Sequence, residues 1–172
     1  MPRRAALAAV LAAALGSSAC GYRLAGGNSF LPEHIKIIAL IPFANRTVRP
    51  EIEQRVTEEL ARELARRGRY KIVTRSSEAD ATLEGAVTGY HTEPVRFATT
   101  GRASRLEAVV TVGATLRETR SDRVLWRQDG LLFREQFDVP ETGELAAQEN
   151  LALEDIARGV AGALATSILE GF

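Results

Sequence analysis

Between Leu106 and Leu116 every second residue is apolar: Leu106, Ala108, Val110, Val112, Ala114 and Leu116 alternate with mostly polar or small residues. A period of two puts these side chains on one face of a β-strand, and only that face meets a core. A strand apolar on one side needs a covering layer, and the chain supplies two candidates. Ile52, Val56, Leu60 and Leu64 recur every four residues; Leu153, Ile156, Val160, Leu164 and Ile168 follow a three/four spacing, with alanines beside both sets. Each set reads as a helix with one apolar stripe. The expected fold is therefore α+β: a two-layer sandwich with two amphipathic helices on one face of a four-stranded, largely antiparallel or mixed sheet.

The rest of the chain fits around this frame. Ile35–Pro42 (IKIIALIP) is dense in β-branched residues and stops at a proline, as a buried strand does. Pro50 suits the first helical position, Glu51 and Glu53 suit the positive end of the helix dipole, and Gly68 is placed to end that helix. Tyr70–Val73 and Ala81–Tyr90 read as further strands, and Pro94–Ser104 as a polar loop with glycine at its tip. After a turn at Ser121-Asp122, the apolar phase of Val124–Phe137 switches from Val124 and Trp126 to Leu131, Phe133 and Phe137. A bulge near Gly130 would produce that switch. The last helix is expected over Glu144–Phe172. No repeat and no long linker divides the chain, so residues 35–172 are read as a single domain.

Residues 1–19 have the three-part layout of a secretory signal peptide: Arg3 and Arg4, an apolar run from Ala5 to Leu15, then small residues. The run is about eleven residues, against the roughly 20 that a bilayer span needs. Ser17-Ser18-Ala19-Cys20 resembles the end of a bacterial lipoprotein signal, although Ser17 stands where an aliphatic residue is usual. The alternative is an ordinary secretory cut after Ala19 that leaves a free thiol. A lone cysteine in an exported chain is unusual, and its position suits acylation, so Cys20 is expected to carry the lipid. Residues 20–34 then form a lipidated tether. With no second cysteine, the fold cannot use an intramolecular disulfide.

Twenty-two basic residues balance twenty-two acidic ones, so no global field points to nucleic acid. Only Lys36 and Lys71 among the basic residues are lysines. Arginine is the better bidentate partner for phosphate, though genome base composition gives the same bias. Catalytic signals are lacking. His34 and His91 are the only histidines and, with Cys20 consumed, cannot close a four-ligand zinc site. No G-x-S-x-G elbow or phosphate-binding loop occurs, and Glu58-Glu59 lie on a polar helix face. Neither a cofactor nor a metal site is expected. The residues argue for a binding or assembly protein, not an enzyme.

Several ordered pieces then resemble one family. Cys20-Gly21-Tyr22-Arg23-Leu24, Leu31-Pro32, Ile35-Lys36 and the strand into Ile41-Pro42-Phe43-x-Asn45-Arg46-Thr47 look like the lipopolysaccharide-assembly lipoproteins, LptE. The resemblance continues through Glu63-Leu64-x-x-Arg67-Gly68-Arg69-Tyr70, Asp80-Ala81-x-Leu83-x-Gly85 and Tyr90-x-x-x-Pro94-Val95-x-Phe97. It closes with Gly101-Arg102-Ala103, Val124-Leu125-Trp126, Phe133-x-Glu135-Gln136-Phe137 and Ile168-Leu169-Glu170-x-Phe172.

The resemblance implies two helices on a four-stranded sheet and a non-enzymatic role at the outer membrane. There the family's lipoprotein plugs the β-barrel LptD, helps it assemble and assists lipopolysaccharide insertion into the outer leaflet. Gly21 after the cysteine is consistent with outer-membrane sorting, on the periplasmic side or within a barrel lumen. Lipopolysaccharide carries phosphates, and Arg96, Arg102 and Arg105 cluster around the glycine-tipped loop as candidate contacts to it or to the barrel. The family also has basic contacts near the start of the last helix, where this chain reads Ala146-Ala147-Gln148-Glu149, with no cation. The alternative comes from IKIIALIPFANRT, which also resembles lipoproteins that activate a cell-wall synthase or belong to curli-type secretion systems.

Overall fold

The computed structural model describes residues 30–67, 70–140 and 145–171; Cys20, Gly68 and Glu144 lie outside the described residues. In chain order the elements are β1 (Ile37–Leu40), β2 (Ala44–Asn45), α1 (Ile52–Arg66), β3 (Lys71–Val73), a 3₁₀ turn (Ser76–Glu78), β4 (Ala81–Phe97), β5 (Ala103–Glu118), β6 (Val124–Asp138) and α2 (Leu145–Glu170). The strands form one sheet in the order β3-β1-β4-β5-β6, with β2 beside β4. β1 runs parallel to β3 and β4, and β2 parallel to β4, whereas β4-β5-β6 is an antiparallel meander. The expected sandwich is present, with a mixed sheet of six strands where four were expected. β3 lies within the strand read at Tyr70–Val73, whereas β2 has only two residues, too short for periodicity to reveal.

The two stripes build the core. Ile52, Val56, Leu60 and Leu64 of α1 are fully buried, as are Ile156, Val160, Leu164 and Ile168 of α2. They meet Leu83 and Val87 of β4 and Val110, Val112 and Leu116 of β5 in one cluster. Full burial of each large aliphatic side chain contributes about 1.5–3 kcal/mol. An exposed ion pair such as Arg62–Glu59 or Arg158–Asp155 contributes about 0–1 kcal/mol. Stripe burial, not surface pairing, holds the helices down. The pairs do report direction: Arg49–Asn150, Arg55–Glu154 and Arg67–Thr166 are joined in sequence order, so the helices run parallel.

The expected bulge is found. Val112 pairs with Leu131 and Ala114 with Gln128, so Gly113 faces both Asp129 and Gly130. That one extra residue moves the inward phase of β6 from Trp126 to Leu131, Phe133 and Phe137. Gly159 of α2 admits this edge of the sheet, since a Cβ there would stand 2.0 Å from Phe133 Cζ. Any side chain there would have to displace that ring.

Three boundaries differ from expectation. Pro94–Phe97, Ala103 and Ser104, read as loop, are strand, and only residues 98–102 turn. This part of the hairpin overhangs the core, and residues 91–97 are all exposed, so no alternation marks it. Pro94 is tolerated because β4 beyond Val87 pairs with β5 alone, leaving a free edge where a missing N–H costs nothing. The second difference is at the first helix. Pro50 precedes α1, and Glu51 takes φ +66° before the helix starts at Ile52. Lastly, Leu31 is buried in the core, so the chain joins the fold within the segment read as tether.

The sandwich has two distinct ends. At one, the Phe30 N–H donates to Leu169 O at 2.9 Å, and Asp80 accepts the Lys36 and Ile37 N–H groups at 3.0 and 2.9 Å. At the other, β4 turns into β5. The two backbone N–H groups hold the Asp80 carboxyl below its usual range. A carboxylate whose pKa is depressed on folding adds stability above its unfolded value, about 3.9, and loses it as pH falls through the folded value. Asp80→Ala is expected to lower unfolding stability at neutral pH by about 1–3 kcal/mol. The deficit should shrink below about pH 4, as read by urea melts across pH.

Candidate functional site

The hairpin end is where the sequence places its candidate cations. Ala98 N–H donates to Arg102 O at 2.8 Å and Gly101 N–H to Ala98 O at 2.9 Å. Gly101 sits at φ +79°, a left-handed conformation that glycine adopts without strain. This tight turn presents Arg102 at its tip. Two steps back along the strands, Arg96 is paired in register with Arg105.

The three arginines are together in space but differ in availability. Arg105 is engaged: its Nε and Nη2 donate to Asp138 Oδ1 and Oδ2 at 2.7 and 3.1 Å. That fork, with Arg96 nearby, holds the Asp138 carboxyl below its usual range. On the same face of the meander, Glu107 accepts from Gln136 Nε2 at 2.9 Å and Arg134 Nη1 at 3.1 Å. These bridges tie β5 to β6 and stiffen the hairpin just behind its tip. Arg96 and Arg102 are exposed and make no ion pair among the described residues. Beside them Val95 and Phe97 are 43% and 61% exposed. The tip thus offers two free guanidiniums next to two apolar side chains, a combination suited to an amphiphile with phosphate and hydrocarbon parts.

A second cluster sits at the start of α2. The segment Ala146–Glu149 supplies no cation of its own, but the loop before α1 brings one. Arg49 Nη1 lies 3.2 Å from Glu149 Oε1, and Nη2 donates to Asn150 Oδ1 at 3.1 Å. Tyr90 of β4 donates its hydroxyl to the same Glu149 oxygen at 2.7 Å. Burial first, then Glu149, pushes the phenol above its ordinary value. This cluster ties the base of the hairpin to α2 and to the loop before α1. Sequence reasoning missed Arg49, because its partner is about a hundred residues away; the signal is the parallel run of the two stripes, which only the fold discloses.

Much of the Phe43-x-Asn45-Arg46-Thr47 stretch is occupied with its own loop. Asn45 Nδ2 donates to Arg49 O at 2.7 Å and Glu53 Oε2 at 2.8 Å, while its Oδ1 accepts from the Thr47 N–H and hydroxyl, both at 2.8 Å. Every polar atom of the amide is used. The histidines are far apart in role: His34 Nε2 lies 2.6 Å from Glu118 Oε1, and His91 is exposed on β4 opposite Val109. Among the described residues, no group of three or more His, Cys, Asp or Glu is placed to hold a metal. No helix among them is long and apolar enough to cross a membrane.

Known proteins share this architecture. Lipoprotein B from Nitrosomonas europaea is 17% identical, with TM-score 0.59, covering 88% of this chain and 92% of that one. A protein from Xanthomonas campestris is 14% identical, with TM-score 0.55 and coverage of 79% and 84%. PelC from Paraburkholderia phytofirmans, a dodecamer, is 18% identical, with TM-score 0.50 and coverage of 78% and 89%. At such identities the likeness is one of fold. No curated protein matches the chain in sequence. The family model LptE, described as lipopolysaccharide-assembly, matches residues 35–168. With β1 through the end of the α2 stripe inside that match, the chain belongs to the LptE lipopolysaccharide-assembly family.

Proposed function

We propose that this chain is an outer-membrane lipoprotein, acylated on Cys20, that plugs an LptD-type β-barrel and assists its assembly and lipopolysaccharide insertion. The observation that carries the reading is the LptE match over residues 35–168. The shape of the molecule supports it. Among the described residues no polar or charged residue is fully buried, and both outer faces carry charges largely paired with one another. A compact wedge of this kind suits the polar, water-lined lumen of a large barrel. The role is one of assembly and binding, not catalysis.

Within that role Arg96 and Arg102 contact lipopolysaccharide phosphates, and Arg105, tied to Asp138, positions the hairpin. Charge-assisted hydrogen bonds contribute about 1.5–3 kcal/mol each. Arg96→Glu/Arg102→Glu is therefore expected to weaken lipopolysaccharide binding at least about tenfold, with the melting temperature unchanged. Unaltered binding would move both side chains to barrel contact. The whole reading is tested by depleting the chain from its own cells. Barrel left unfolded and lipopolysaccharide lost from the surface are expected; normal surface lipopolysaccharide contradicts it.

A further inference from the structure

The sheet has edges at β3, along the outer half of β4 and at β6, and β6 is the least guarded. β3 is three residues long and begins with Lys71; the outer half of β4 carries Pro94. Short length, lysine and proline all blunt a strand edge against pairing. β6 runs for fifteen residues with neither proline nor lysine. Among the described residues it pairs with β5 alone, and beyond the bulge its ladder is unbroken for eight residues, Leu131–Asp138. The charges on the outer face are spent within the sheet, Arg134 on Glu107 and Asp138 on Arg105, and Leu132 beside them is 55% exposed. A row of unpaired N–H and C=O groups of this length is a template for another strand.

The inward phase of that run selects the partner. Leu131, Phe133, Glu135 and Phe137 lie opposite Val112, Val110, Ala108 and Leu106 of β5, so the phase is apolar except at Glu135. That carboxylate is partly buried and has neither ion pair nor hydrogen bond among the described residues. An added strand brings its side chains within about 5 Å of these, and a cation opposite Glu135 completes the match. A second copy of this chain cannot supply one. Two copies joined by a two-fold axis pair antiparallel. With both apolar phases on one face, the run 131–138 then sets Glu135 opposite Leu131, Phe133, Phe137 or another Glu135. We propose that the β6 edge accepts an extended segment of the barrel partner, with a lysine or arginine between apolar residues on its inward face. The inference rests on the barrel reading above and names the element that makes the contact. Main-chain hydrogen bonds supply the affinity of such an addition and alternate side chains its specificity. Strands of a closed barrel spend both edges on each other, so the segment comes from a loop or terminus of that protein. It leaves the turn at 98–102 uncovered, because β6 stops level with Arg105.

The test uses the full chain in its own cells, with the photo-crosslinker p-benzoylphenylalanine placed in turn at Leu132, Arg134, Gln136 and, on the hairpin turn, Thr100. Mass spectrometry then identifies the linked peptides. The three β6 positions are expected to link to barrel residues two apart along one segment, because paired strands advance in step. Glu135→Arg is expected to cut these links about tenfold, since an opposite-charge pair becomes a like-charge one. Links from position 100 and the melting temperature should not change. Replacing the barrel's facing lysine or arginine by glutamate should restore the β6 links of Glu135→Arg. Links from β6 that are absent, scattered over several barrel segments, or made to a second copy or to residues 20–29 of the same chain overturn the strand addition alone. No barrel link from any of the four positions overturns the barrel reading and the proposal with it.

Discussion

Leu164→Ala is expected to cost about 2–5 kcal/mol of unfolding free energy, since it removes a fully buried side chain and leaves a cavity that closes only in part. Leu164 lies in the stripe of α2 that joins the apolar cluster shared with α1 and the sheet. Domains of this size have about 5–15 kcal/mol in total, so the loss takes a large share. At about 4 °C per kcal/mol the melting temperature falls by roughly 8–20 °C. Arg158→Ala is the control, three half-turns away on the same helix. It breaks an exposed pair with Asp155 and should change stability by no more than about 1 kcal/mol. Denaturant melts of the two variants compare them directly. Equal effects would mean that the helices are held by surface pairing and not by their stripes.

The second large effect concerns attachment. Cys20→Ser is expected to empty the outer-membrane fraction of this chain, because no sulfur remains to take the acyl chain and no acylated mature N-terminus forms. A single chain binds membranes only reversibly, with a constant on the order of 10⁴ M⁻¹, whereas two or more hold firmly. The loss should therefore be nearly complete rather than graded. Mass spectrometry of the native protein checks the premise: the mature chain should begin at Cys20 and carry acyl mass. An unmodified chain beginning at Cys20 would refute the acylation despite the small residues before it.

What the residues disclosed followed from which side chains the core selects. The stripes of α1 and α2 and the alternation of β5 were legible because one face of each is buried, and burial imposes a period. The bulge at Asp129-Gly130 was legible for the same reason, as a break in phase within β6. The outer half of the hairpin was not. From His91 to Phe97 both faces meet solvent, so proline and arginine there looked like loop. β2, two residues long, left no pattern to read. The three arginines around the glycine-tipped segment stand on one hairpin, but sequence could not separate Arg105, spent on Asp138, from Arg96 and Arg102, which make no ion pair among the described residues. Arg49 and Glu149 were invisible as partners, because only the parallel packing of two helices brings them within reach.

We propose that this member of the LptE family works as the plug of an outer-membrane barrel. Purification of the tagged, membrane-bound protein in mild detergent tests it most directly. One large β-barrel protein is expected to co-purify in equal amount and to remain folded in the complex. Recovery of a peptidoglycan synthase, with no large β-barrel present, would contradict it.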